Sequence, residues 1–117
     1  VAAALSLTPI AAGKLDEWKE LHAELMGPKR IEWAQSQRRR GVTRQVVSLV
    51  MDDDRPLAAV FTEAADPDQA LHALHESTEP FDRWLVERLG AVLDASMAVI
   101  PVIDTAPRPG PWRGWRR

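Results

Sequence analysis

His22 stands four residues after Trp18, one turn apart if this stretch is helical, and an imidazole bordering an apolar stripe can act as a general base. The alternative is a half-buried histidine that bonds a backbone carbonyl. Arg44, at the start of an apolar run, could hold a carboxylate or enolate with its fork of donors, or close an ion pair across strands or subunits. His22 and Arg44 are therefore the candidate catalytic residues. Trp18, Trp33 and Trp84 are broad apolar bodies with one donor each, able to stack a planar ligand or to fill core and interface. They are candidate ligand-binding residues. Asp82 joins them, although with Glu79 it also reads as a pair of i, i+3 acids that favour a helix start. His72 and His75, near Glu76 and Glu79, have a spacing at which two imidazoles could share a metal. They fall on the face opposite the apolar one, and a metal site needs a third ligand and supporting partners, so solvated surface and no metal are expected.

Absences narrow the chemistry further. With no cysteine in 117 residues there is no disulfide, thiolate nucleophile or iron–sulfur cluster, and tyrosine is missing too. There is no glycine-rich dinucleotide fingerprint, phosphate loop, nucleophile elbow or HExxH pair. No cofactor is expected, and any catalysis would be acid–base, electrostatic or driven by the substrate itself. Arg108, Arg113, Arg116 and Arg117 lie in the last ten residues, and removing their four charges from a net −2 leaves the body near −6. An acidic body argues against nucleic acid as partner. The first ten residues lack a basic leader pattern, and no apolar run approaches a membrane span, so neither signal peptide nor anchor is expected and the location reads as cytoplasmic.

The elements that must position these residues are organised around a hairpin at 43–63. Two apolar runs, TRQVVSLVM and PLAAVFTE, flank the turn Asp52, Asp53, Asp54, Arg55. Gln45, Val47, Leu49 and Met51 project to one side and Arg44, Val46, Ser48 and Val50 to the other. A hairpin with one solvated face should alternate apolar with polar, and this one is apolar on both. Something covers each side: helices of the same chain on one, a second subunit's sheet on the other.

Around it, 3–10 predicts a first strand with Pro9 near its end. Gly13 then caps a helix carrying Asp16 and Glu17 early and an apolar stripe of Leu15, Trp18, Leu21 (or His22) and Leu25. Gly27 and Pro28 break it, and a second helical segment, 29–40, ends in three arginines before Gly41, where dipole compensation accounts for the cations and anion recognition is the alternative. Asp66, Pro67 and Gln69 mark a third start, with Ala70, Leu71 and Leu74 facing inward. Thr78 caps a fourth, with Pro80 in its first turn and a stripe of Phe81, Leu85, Leu89 and Val92. Residues 97–103, MAVIPVI, read as a last strand that Pro101 consigns to an edge or bulge. The order is the βαββαβ pattern of an α+β, ferredoxin-like fold with a four-stranded antiparallel sheet over residues 1–104. Residues 105–117, TAPRPGPWRGWRR, hold three prolines and two glycines and are expected to form a mobile tail or one draped across the partner subunit, docking of Trp112 and Trp115 in an aromatic or acidic groove being the alternative.

KLDEWKELHAEL in the first helix, RRRGVTRQVVSLV entering the second strand, FTEAADPDQAL leaving the third and STEPFDRWL opening the last helix carry a resemblance over about two-thirds of the chain. They resemble the dimeric α+β barrel superfamily, which includes antibiotic-biosynthesis monooxygenases, small polyketide cyclases and sugar mutarotases, and most of all an uncharacterised bacterial branch of it. In the Pro-x-Asp of the last helix, Pro80 to Asp82, the following Trp84 stands where related sequences often carry a histidine. The resemblance implies a homodimer whose two sheets face each other, with a ligand cleft between sheet and helices in each subunit. It implies a small organic ligand and, if catalytic, a cofactor-independent monooxygenase, cyclase or isomerase of secondary metabolism. None of the matching strings is a catalytic signature, so a non-catalytic dimeric scaffold using the Arg/Trp tail is the other expectation.

Overall fold

A computed structural model of the chain describes residues 2–94. The elements run β1 (Ala2–Pro9), α1 (Leu15–Met26), α2 (Arg30–Arg39), β2 (Val42–Asp52), β3 (Arg55–Ala64), α3 (Pro67–Glu76) and α4 (Pro80–Val92). The three strands form an antiparallel sheet in the order β1-β3-β2, the arrangement of strands one to three in a ferredoxin-like fold. The expected fourth strand at 97–103 and the tail at 105–117 lie outside the described residues. The chain leaves α4 at the edge of β1 away from β3, where Asp94 N donates to Pro9 O at 2.8 Å and Leu93 forms an antiparallel bridge with Ile10.

β2 and β3 are joined by two residues, since Asp52 and Arg55 still pair across the ladder. Asp53 takes φ +54°, a positive value that aspartate tolerates better than most residues and that two-residue hairpin loops favour at their first position. A bulge near Thr43 interrupts the other end of the same ladder: Val42 pairs with Ala64, but Arg44 pairs with Glu63. The extra residue sets the phase of everything after it.

The helix-facing side of the sheet receives Ala58, Val60, Thr62, Val47 and Gln45. Its core gathers Ile10, Trp18, Leu21, Leu25, Ala58, Leu74, Phe81, Leu85 and Val92, so α1, α3 and α4 each contribute their apolar stripe. Leu21 and Val92 are fully buried. The break at Gly27–Pro28 divides α1 from α2 as the proline demands.

Several local expectations need correction. The residue preceding α1 is Lys14, without a side-chain cap, while Gly13 supplies the positive φ of the approach. Thr78 does not cap α4; Glu79 is the N-cap residue, and Ser77 Oγ accepts from Glu79 N at 3.1 Å. Leu71 is 56% exposed because α3 buries the i, i+4 pair Ala70 and Leu74, and Leu71 lies nearly a quarter-turn off that line. The third start holds as drawn, with Asp66 Oδ1 accepting from Gln69 N and Pro67 in the first turn.

Candidate functional site

The open sheet face repeats the parity of the strands as a grid of three columns and three rows. Leu5, Phe61 and Val46 align across β1, β3 and β2, then Leu7, Ala59 and Ser48, then Pro9, Leu57 and Val50. Eight of the nine are apolar, and Leu5 is 47% and Val46 40% exposed. Among the described residues no helix packs on this side. Arg44 and Glu63, paired in the ladder, stand on the same face at the margin of the grid.

This register separates the two residues proposed for catalysis. Gln45 faces the helices, since its side-chain oxygen accepts from Gln37 Nε2 of α2 at 3.2 Å, so the preceding Arg44 points away from them. His22 lies on α1, on the helix side. Its Nδ1 donates to Trp18 O at 2.9 Å, and its ring lies 4.3 Å from the Trp18 ring, the arrangement of a half-buried histidine held by its own helix. The structure does not bring His22 and Arg44 together within one chain.

The aromatic candidates divide in the same way. Trp18 is buried in the core, 6% exposed. Trp33 and Trp84 sit on the seam of α2 and α4, each against Phe81, at 6.4 and 5.6 Å between ring centres. Cations flank this row: Lys29 Nζ lies 4.6 Å and the Arg88 guanidinium 5.2 Å from the Trp84 ring, and Arg40 lies 5.9 Å from that of Trp33. Arg88 is held in turn by Glu24 of α1 at 3.0 Å.

Asp82 is the most constrained polar group of the described chain. It is 1% exposed, and α2 and the loop before α4 converge on it. Ser36 Oγ of α2 donates to Oδ1 at 2.5 Å; Ser77 Oγ, from the loop before α4, donates to Oδ2 at 2.6 Å; Arg39 Nη2 donates to Oδ2 at 3.2 Å. Burial pushes the carboxyl up, but the bonds from Ser36, Ser77 and Arg39 and the charge of Arg39 outweigh it and hold Asp82 below the usual carboxylate range. Arg40 adds a second guanidinium, with Nε donating to Ser36 Oγ at 3.3 Å. Burial pulls its pKa down, Asp82 opposes that, and Arg39 adds to it. Its Nη2 is buried without a hydrogen-bond partner among the described residues.

Beside this network opens a cleft of about 460 Å³ lined by Arg39, Arg40, Ser77, Thr78, Glu79 and Asp82, with Ala73 and Glu76 of α3 on its far wall. The cleft is shallow and broadly open to solvent. Asp82 was legible as a candidate ligand-binding residue and helix-start acid, and Arg39 and Arg40 within a run that could recognise an anion, but nothing in the sequence tied them to one another or to Ser36. His72 and His75 are exposed on α3, with His72 Nε2 3.7 Å from Glu76 Oε1, and no group of three or more histidines and acids among the described residues is placed to hold a metal. No helix among the described residues is long and apolar enough to cross a membrane.

No family model matches the chain, and no curated protein matches it. Among solved structures it is similar to a dimeric ferredoxin-like protein from an uncultured marine organism, known at 2.20 Å resolution. The TM-score is 0.50 at 14% identity, over 92% of this chain and 94% of that one. At that identity the likeness speaks to the fold, which is ferredoxin-like α+β.

Proposed function

We propose that this chain is one subunit of a homodimeric α+β barrel, the sheet face of one copy closing on that of another, and that its role is to bind a small organic molecule. The observation that carries the assembly is the apolar grid of Leu5, Leu7, Val46, Val50, Leu57, Ala59 and Phe61, of which Leu5, Val46 and Val50 stand exposed among the described residues. Monomeric soluble proteins rarely leave a continuous apolar face of this kind in water. The solved relative in fold is itself dimeric, and the resemblance to the monooxygenase, cyclase and mutarotase superfamily points the same way.

Catalysis by His22 and Arg44 as a pair would need the second copy, because within one chain they stand on opposite sides of the sheet. A joint acid–base and anion-holding site in a single subunit is therefore the weaker reading. The cleft between α2 and α4 is the better place for a ligand, and binding without turnover is the simpler role for it.

Sedimentation equilibrium on the full chain tests the assembly. A species of twice the 13.1 kDa chain mass is expected. Val46→Lys, on the edge strand where a folded monomer tolerates a charge, should shift the equilibrium to monomer with an unchanged circular dichroism spectrum. A wild-type monomer at micromolar concentration would end the barrel reading.

A further inference from the structure

We propose that the cleft between the end of α2 and the start of α4 takes a small zwitterionic amino-carboxylate, its carboxylate toward Arg39 and Arg40 and its ammonium toward Glu76 and Glu79. The inference rests on the binding reading above and names the ligand class.

The charge inventory of the cleft is uneven with depth. Two guanidiniums, half-exposed Arg39 and Arg40, stand beside a single buried carboxylate that already accepts three bonds: Asp82 Oδ1 from Ser36, and Oδ2 from Ser77 and Arg39. One positive charge inside is left without a partner of its own. Arg40 carries it, since its guanidinium makes one bond to Ser36 Oγ, lies over the Trp33 ring, and keeps Nη2 covered and unbonded. Arg40 lines the cleft, where an incoming oxyanion would give its charge a partner. Arginine stays charged in this setting, so the attraction does not depend on its protonation.

The outer lip has the opposite sign. Glu79 and Glu76 keep 56% and 69% of their side chains in water, and each has only a long contact, Glu79 to Arg39 at 3.8 Å and Glu76 to His72 at 3.7 Å. They repel a polyanion approaching the arginines, which disfavours phosphate-rich ligands, and attract an ammonium group. Thr78 adds a hydroxyl on the same lip. The pattern of cation within and acids at the mouth fits a molecule with both charges better than one with either alone.

Three probes of matched size separate the terms. In amide and arginine side-chain NMR of the full chain, β-alanine should give saturable shifts at Arg39, Arg40, Ser77 and Thr78, with an affinity about tenfold above propionate and higher still above propylamine. Arg40→Gln should abolish the β-alanine response, while Arg38→Gln, one residue outside the cleft wall, should leave it unchanged. No saturable shift with any probe overturns the site. Propionate binding as tightly as β-alanine overturns the zwitterion assignment, as does binding of propylamine alone. Should Arg40→Gln fail to fold, the wild-type probe series decides the matter by itself. The titration is independent of oligomeric state, so a monomeric protein would remove the barrel and leave this site standing.

Discussion

Ser36 and Asp82, 46 positions apart, are joined by a hydrogen bond of 2.5 Å in which the serine hydroxyl donates to a carboxylate buried to 1% exposure. Through that bond the last turn of α2 is tied to the first turn of α4. Ser77 closes the third side, its hydroxyl donating to Asp82 and accepting from Glu79 N. Buried charges persist only when paired and bonded, and here the pairing also positions Arg39 and Arg40 on the cleft wall.

Asp82→Ala leaves two guanidiniums without their shared counter-charge. Breaking a buried pair costs about 3–5 kcal/mol, and the low end applies because Arg39 keeps 40% of its side chain in water. Urea unfolding followed by circular dichroism measures the loss. A change below about 1 kcal/mol would mean that the network contributes little to holding α2 against α4.

The pH dependence follows from the direction of the Asp82 shift. Its carboxyl lies lower in the folded than in the unfolded chain, so the unfolded state binds the proton more readily. The stabilisation is therefore complete above the unfolded aspartate value, about 4, and is lost as pH falls below it toward the folded value. Unfolding midpoints measured from pH 6 down to pH 2 should fall more steeply for the wild type than for Asp82→Asn, which has no such proton to gain.

Core deletions should rank by burial. Leu21→Ala and Leu85→Ala empty positions with 0% and 1% exposure, and each should cost about 2–5 kcal/mol. Leu71→Ala, at 56% exposure on α3, should stay within about 0.5 kcal/mol. Equal effects at Leu71 and Leu85 would place α3 differently on the sheet.

Asp53→Gly tests the hairpin. Asp53 holds φ +54° at the first loop position, where glycine adopts the same backbone without a Cβ penalty, and the change also relieves three consecutive negative charges. A gain of up to about 1 kcal/mol is expected in thermal unfolding. A loss of the same size would show that the loop geometry does not limit stability.

Much of the architecture was legible because it is local. The stripe of Trp18, Leu21 and Leu25 announces its helix by spacing, Gly27–Pro28 announces the break, and Asp66–Pro67–Gln69 carries the chemistry of a helix start. The hairpin's two sets of side chains were readable from alternation alone. The Thr78 cap was misread because the adjacent Ser77 and Thr78 offer the same hydroxyl chemistry, and only the path of the chain into α4 brings Ser77 Oγ to Glu79 N.

Strand alternation determined from the residues that Arg44 and Val46 share one face and Gln45 and Val47 the other. It could not say which face the helices would cover, because that depends on packing between segments far apart in the chain. Tertiary structure alone decided that Arg44 turns away from His22, and that Ser36, Ser77, Arg39 and Asp82 meet. Periodicity is a property of neighbours along the chain, whereas a buried carboxylate acquires its partners only when separate helices are brought together around a common core.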